Sequence, residues 1–234
     1  IENIDVYGFE SAIRGMRNPM NSWDRSDTVV EPDCDRCGTK KCGGDCGAVT
    51  AEGCVFVGKN DLDLMKRLFK GGTEHRKYMR MINVTMDITA PLYWWKEFDT
   101  YKIGTVANSC STMHKIHAKE FTIDDFSCEH LDRFVLDTGG DVAPVFDFVR
   151  PLMYVIECLN QARKLYLETK DKKYWWQMIQ LLPSSYNQRR TVQMNYEVAV
   201  NIIRQRQNHK LDEWHVMVDE LLNLPYMKEI MGVE

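Results

Sequence analysis

The sequence lacks any long apolar run. No stretch reaches the roughly 18 consecutive apolar residues that a membrane-spanning helix needs. The first residues also lack the basic segment and following apolar segment of a secretory signal. The sequence therefore predicts neither a membrane span nor a signal peptide, and we expect a cytoplasmic protein without a membrane partner.

An excess of positive charge is also absent. The 30 Lys and Arg residues are outnumbered by 34 Asp and Glu residues, which gives a formal net charge of -4 at pH 7. Because non-specific affinity for nucleic acid depends on a surplus of Lys and Arg on one face, the composition argues against general nucleic-acid binding. A nucleotide ligand is not excluded, since one phosphate group needs only roughly two or three local cations.

Apolar residues, in contrast, are plentiful. They make up 44% of the 234 residues, which is enough to bury a sizeable core without disulfide support. Apolar residues that alternate over 78–88 predict a strand, and the spacing of three and four in 152–166 predicts a long helix that Pro151 kinks or divides. Asn60 is predicted to cap a helix over 61–70. We therefore expect an α/β (α+β) fold, with a central sheet, long helices and a helical C-terminal half.

One region departs from this pattern. Residues 24–58 are polar, rich in glycine and without period, which predicts a loop inserted into a single domain over 1–234. Four of the eight cysteines lie within this region, at Cys34, Cys37, Cys42 and Cys46. Four thiolates can hold a tetrahedral structural zinc, whereas an iron–sulfur site or a free loop of reduced thiols are the alternatives.

The stretch from Thr89 to Lys115 carries the first candidate site. Ala90-Pro91 introduces a short apolar helix over 92–98, because proline suits a first helical position. The following residues, 104–112, have small side chains with hydroxyls and an amide but no period, which predicts a loop open to a ligand. An ordinary Ser/Thr turn is the alternative interpretation.

The second candidate site lies between Leu182 and Arg206. A Leu-Pro pair is followed by polar residues and then by a helix on which Asn195 and Arg206 are eleven residues apart. At helical spacing these two side chains project from almost the same face. Arg189 and Arg190 precede them, and arginine offers planar donors suited to phosphate. A partly buried polar pair without a ligand is the alternative.

Both stretches resemble those of the flavin-dependent thymidylate synthases. Asn108 and Ser111 keep the family's N-x-x-S spacing, and the interval from Asn195 to Arg206 matches without a gap. A Glu-His pair ending in His75 precedes the first stretch, as in that family. The family's Arg-His-Arg tripeptide is absent, and its place is taken by Thr100-Tyr101-Lys102 or Tyr101-Lys102-Ile103.

This resemblance implies a fold of the thymidylate synthase-complementing type and a homotetramer that binds FAD. It implies methylation of dUMP to dTMP, with methylenetetrahydrofolate as the carbon donor and NADPH as the reductant. A divergent enzyme that hydroxymethylates a pyrimidine nucleotide, or a non-catalytic, zinc-bearing nucleotide-binding protein, is the alternative. The implied roles fall on three groups of residues, which are Lys102, Asn108 and Ser111 in the catalytic site, His75 and Asn195 at the flavin, and Arg189, Arg190 and Arg206 at the substrate.

Overall fold

The computed structural model describes residues 1–31, 48–135 and 145–233. The chain divides into two compact units. Unit 1 comprises residues 1–88, 101–108 and 191–234, and unit 2 comprises residues 89–100 and 109–190. The predicted zinc ligands, Cys34, Cys37, Cys42 and Cys46, lie outside the described residues.

Nine strands form three sheets in the ranges that the structure describes. The largest sheet has the strand order β1-β5-β9-β6, the second has the order β2-β4-β3, and β7 pairs with β8. The central sheet predicted from the sequence is therefore confirmed. The strands are β1 (Glu2–Tyr7), β2 (Val29–Glu31), β3 (Ala48–Thr50), β4 (Gly53–Phe56), β5 (Asn83–Pro91), β6 (Thr105–Ser109), β7 (Arg133–Val135), β8 (Val145–Asp147) and β9 (Asn187–Asn195).

The α-helices are concentrated in the second half of the chain, as predicted. No helix in the described ranges has both the length and the apolar character needed to cross a membrane. The α-helices are α1 (Phe9–Arg17), α2 (Lys59–Lys70), α3 (Leu92–Phe98), α4 (Thr112–Lys115), α5 (Val149–Thr169), α6 (Lys172–Leu181), α7 (Tyr196–Arg206), α8 (Asp212–Leu222) and α9 (Met227–Met231).

The core of unit 1 surrounds helix α7. Its first turns are almost wholly apolar, and Tyr196, Ala199 and Ile202 are fully buried. Trp214 on α8 is also fully buried. The alternating residues of β5 that the sequence predicted to face a core, including Val84, are buried as well. Helix α7 therefore has a fixed position, and the residues at its two ends are held in place by the core.

A buried ion pair joins α1 to α2 in unit 1. The Nε atom of Arg17 lies 2.6 Å from a carboxylate oxygen of Asp61, and the two side chains are 4% and 0% exposed. The other Asp61 oxygen accepts hydrogen bonds from Ser26 and from both the backbone and the hydroxyl of Thr28. Burial raises the pKa of the Asp61 carboxyl, but these hydrogen bonds outweigh burial and hold the pKa below its usual value.

The core of unit 2 is a pair of helices, α5 and α6, with aromatic residues packed against them. Leu152, Leu159 and Met178 are buried in this cluster. Pro151 was predicted to kink or divide α5, but the helix runs unbroken from Val149 to Thr169. Proline lies in its first turn, where the backbone N–H has no partner within the helix and its loss costs little.

Three other local predictions are wrong. The 24–58 region carries β2, β3 and β4 in its described parts, because short strands there pair with one another in spite of their polar context. The 78–88 strand starts only at Asn83, since a 3-10 turn over Lys77–Arg80 precedes it. Asn60 lies inside α2, whose free N–H groups at Asn60 and Asp61 donate to the carboxylate of Asp27.

Candidate functional site

The small-residue segment that the sequence predicted to be a loop is largely a strand. Residues Thr105–Ser109 form β6, at one edge of the four-stranded sheet beside β9. Pairing with β9 supplies the regular backbone hydrogen bonds that the segment's composition did not indicate. The side chains of residues 106–109 are exposed. These small groups are therefore open to solvent, as expected, but they lie on a strand instead of a loop.

Arg206 is held by two aromatic rings at the end of α7 in unit 1. Its Nε atom donates a 2.9 Å hydrogen bond to the hydroxyl of Tyr101, and its guanidinium lies 4.6 Å from the centroid of the Trp214 ring. The Tyr101 hydroxyl in turn donates to the side chain of Gln205. Tyr101 belongs to the first predicted stretch and Arg206 to the second, so the two stretches meet here.

Asn195 lies at the opposite end of α7 from Arg206. Its side-chain oxygen accepts from the backbone N–H of Val198 at 3.1 Å, so it caps the helix. The prediction that Asn195 lies on this helix is wrong, because Asn195 is the last residue of strand β9 and precedes the first helical residue. The prediction failed because the helical spacing continues by chance into a strand.

The first stretch passes close to Asn195 at a glycine. Gly104 has a φ of +82°, and a Cβ added to it would lie 2.9 Å from Val198 and 3.3 Å from the Asn195 amide nitrogen. A Cβ at this position would therefore force the Val198 side chain to move, and the positive φ would add backbone strain. In unit 1 the first stretch thus contacts the second near both ends of α7, at Asn195 and at Arg206.

A separate contact brings the same two stretches together in unit 2. The backbone N–H of Cys110 donates to the carbonyl of Arg189 at 2.9 Å, and the Gln188 amide donates back to the Cys110 carbonyl at 2.9 Å. As a result of this pairing, Ser111 and Arg189 line the same cavity, which has a volume of about 320 Å³. Lys115, Lys119, Asp124, Asp125 and Tyr186 also line this cavity.

The cavity beside Ser111 carries more cations than carboxylates. Three basic side chains line it, against two acidic ones. Lys119 is hydrogen-bonded to Asp125, and this bond raises the pKa of the Lys119 ammonium. Burial raises the pKa of the Tyr186 hydroxyl, and the nearby charge of Asp125 raises it further. Tyr186 is therefore a hydrogen-bond donor at neutral pH. The lining can bind a ligand that carries both an anionic group and a polar ring.

The remaining predicted site residues occupy different positions. Lys102 and Asn108 are exposed. His75 lies in an exposed turn of unit 1 and lines another cavity, of about 790 Å³. Arg190 does not line the Ser111 cavity, because its guanidinium lies 4.2 Å from the centroid of the Trp95 ring and is paired with Asp99 at 2.7 Å. The roles of these residues stay predictions.

Sequence reasoning missed several residues that line the Ser111 cavity. Lys115 is the last residue of the first stretch and Lys119 follows it four residues later, so a test of local charge spacing could have selected both. Tyr186 lies within the second stretch but was not singled out there, and Asp125 lies outside both stretches, because both residues reach the cavity through tertiary contacts. Within the described ranges no group of three or more His, Cys, Asp or Glu side chains could hold a metal ion.

No family model and no curated protein matches the sequence. Flavin-dependent thymidylate synthase ThyX from Helicobacter pylori, solved in complex with FAD and dUMP, matches with a TM-score of 0.59 and 14% identity, over 97% of this chain and 96% of that chain. The UMP/dUMP methylase PolB from Streptomyces cacaoi, bound with 5-Br dUMP, matches with a TM-score of 0.60 and 11% identity, over 99% and 95%. The protein therefore has the fold of ThyX and PolB, as the resemblance predicted.

Proposed function

We propose that this protein, which has the fold of the flavin-dependent thymidylate synthases, is an enzyme that methylates dUMP to dTMP. One observation carries the proposal. The two stretches that resemble the family lie against each other, through Cys110 and Arg189 in unit 2 and through Tyr101 and Arg206 in unit 1. Such convergence of distant segments is what a shared ligand site requires.

The Ser111 cavity is proposed as the site of the nucleotide. Its volume of about 320 Å³ falls within the range of small-molecule pockets. The guanidinium of Arg189 and the ammonium of Lys115 would bind the phosphate, and the hydroxyl of Ser111 would donate a further hydrogen bond. The protonated hydroxyl of Tyr186 would donate to a carbonyl oxygen of the pyrimidine, which would orient the ring.

FAD is the cofactor that the fold implies. When bound, it supplies the electrons that reduce the transferred carbon to a methyl group. The cavity that His75 lines fits a dinucleotide in size and charge, since it measures about 790 Å³ and its described lining contains five Lys and Arg residues against one carboxylate. Arg17 also borders it, and its Nη2 atom has no hydrogen-bond partner among the described residues. His75 would contact the flavin, and Asn195 would do so through the amide nitrogen that its capping bond leaves available.

The finer features of the proposal follow the resemblance. Methylenetetrahydrofolate would donate the carbon and NADPH would reduce the flavin, in a cytoplasmic homotetramer. Zinc in the cysteine cluster stays a prediction. UMP is a second candidate substrate, because one protein that shares the fold is a UMP/dUMP methylase.

The proposal is tested by incubating the purified protein with dUMP, FAD, methylenetetrahydrofolate and NADPH and measuring dTMP by mass spectrometry. We expect dTMP to form, and its formation to stop when any one component is left out. A parallel reaction with UMP determines whether the ribonucleotide is also methylated. Purified protein that binds neither FAD nor dUMP and forms no product would contradict the proposal and favour a non-catalytic role.

A further inference from the structure

A basic cavity lies on the outer face of α2 in unit 1, and the chain's overall charge does not account for it. Its lining contains Arg25, Lys66, Arg67 and Lys70, with Asp63 as the one carboxylate among the described lining residues. The whole chain carries a formal net charge of -4. Within the described residues, none of these four cations has a carboxylate within ion-pair distance.

Such a concentration of charge is unfavourable without an anion. Lys66 and Lys70 are four residues apart on α2, so their ammonium groups repel each other, and Arg67 adds a third positive charge on the same helix. A solvated helix face would tolerate this arrangement at a cost of a few tenths of a kcal/mol. The charge on this face of α2 alone therefore does not define a binding site.

Arg17, whose guanidinium is buried, also borders this cavity. Its Nε atom is paired with Asp61, and its Nη1 atom donates to the carbonyl of Ser22 at 3.2 Å. The side chain is only 4% exposed, and its Nη2 atom is buried without a hydrogen-bond partner among the described residues. A buried donor left unsatisfied costs about 1–3 kcal/mol, and an anionic oxygen that reached this atom would remove the cost.

Arg17 also borders a smaller cavity, of about 250 Å³, which suits an anion less well. Its lining combines Glu10 and Arg14 with the apolar side chains of Ile13, Trp23 and Val30. Because Asp61 neutralises the charge of Arg17, the remaining charges of this lining are one acidic residue, Glu10, and one basic residue, Arg14. The surplus of positive charge lies in the larger cavity.

We infer that the larger cavity binds the diphosphate group of a phosphorylated ligand. Four cations with one carboxylate match a group of several negative charges better than a single carboxylate ligand. If the proposed function is correct, the diphosphate belongs to FAD, because His75, the residue predicted to contact the flavin, lines the same cavity. The basic face of α2 would then supply positive charge in a chain that lacks the Arg-His-Arg tripeptide. The alternative source is a free diphosphate.

The inference is tested by calorimetric titration of the protein with inorganic pyrophosphate, FAD and dUMP in separate experiments. We expect the wild-type protein to bind both pyrophosphate and FAD. The double variant Lys66→Ala/Lys70→Ala should bind both at least about tenfold more weakly, since two charge-assisted contacts are lost. Its dUMP affinity should be unchanged. The matched control is Lys59→Ala/Lys77→Ala, which removes two exposed lysines of unit 1 that do not line the cavity.

The outcomes separate this inference from the proposed function. Pyrophosphate binding that the α2 variant weakens, in a protein that ignores FAD, would support the cavity and assign it to a free diphosphate. The same result in a protein that ignores dUMP would support the cavity and contradict the proposed function. The inference is overturned if the wild-type protein binds no pyrophosphate, or if the α2 variant binds pyrophosphate as tightly as the wild-type protein.

Discussion

Replacing Asp61 by alanine is expected to lower the free energy of unfolding by about 3–5 kcal/mol. The substitution would leave the guanidinium of Arg17 buried without its counter-charge. It would also remove the acceptor of the hydrogen bonds from Ser26, Asp27 and Thr28, which hold the chain before β2 against α2. Urea denaturation followed by circular dichroism measures the change.

The matched control for this variant is Asp63→Ala on the same helix. Asp63 is exposed and makes no ion pair among the described residues, so its loss should change the free energy of unfolding by less than about 0.5 kcal/mol. Equal effects of the two variants would show that the buried pair does not stabilise unit 1.

The same carboxyl makes stability dependent on pH. The pKa of Asp61 is lowered in the folded protein, so its contribution is present above the unfolded value of 3.8 and is lost as the pH falls through the folded value. The wild-type protein should therefore lose stability below about pH 4, and Asp61→Ala should lose less over the same range. Denaturation midpoints at a series of pH values check this dependence.

Replacing Arg189 by alanine is expected to weaken dUMP binding by about thirtyfold, which corresponds to about 2 kcal/mol for a charge-assisted hydrogen bond to phosphate. Arg189 lines the Ser111 cavity, and its backbone carbonyl accepts the bond from Cys110. Alanine preserves that backbone bond, so the pairing of the two stretches should persist. Calorimetric titration with dUMP measures the loss.

Two further variants show whether the effect comes from the phosphate contact. Arg189→Lys keeps the charge but not the planar pair of donors, so its dUMP affinity should fall between those of the wild-type protein and the alanine variant. Arg150→Ala removes an exposed arginine of unit 2 that does not line the cavity, and it should bind dUMP normally. Unchanged affinity in Arg189→Ala, with a native circular dichroism spectrum, would remove Arg189 from the site.

The sequence predicted those parts of the fold whose periodicity follows their own packing. Helix α5 and strand β5 bury one face each, so their apolar residues recur at the spacing of a helix and of a strand. The kink at Pro151 was a wrong prediction because the sequence does not show where a helix begins. A proline that would break the interior of a helix is harmless in its first turn.

Strand β6 shows why other parts could not be predicted. Its residues are small and mostly exposed, and its two apolar residues, Val106 and Ala107, are adjacent, so no apolar alternation marks them as a strand. They are extended because they pair with β9, which lies more than 70 residues later in the chain. Information of this kind is held in the partner strand and not in the segment itself.

The candidate site was predictable in its backbone and less so in its side chains. The resemblance selected the two stretches that meet, and it named Ser111 and Arg189, which share a cavity. It could not indicate that Arg190 is held by Trp95 and Asp99, because that contact depends on the tertiary position of α3. For the same reason, Tyr186 became a candidate only once the cavity was seen.

The account rests most directly on where a pyrimidine nucleotide binds. A crystal structure of the protein with 5-bromo-dUMP would locate the bromine by its anomalous scattering. We predict the bromine in the cavity lined by Ser111, Tyr186 and Arg189, with the phosphate at the Arg189 guanidinium. Bromine bound elsewhere on the protein, with that cavity filled only by solvent, would contradict the account.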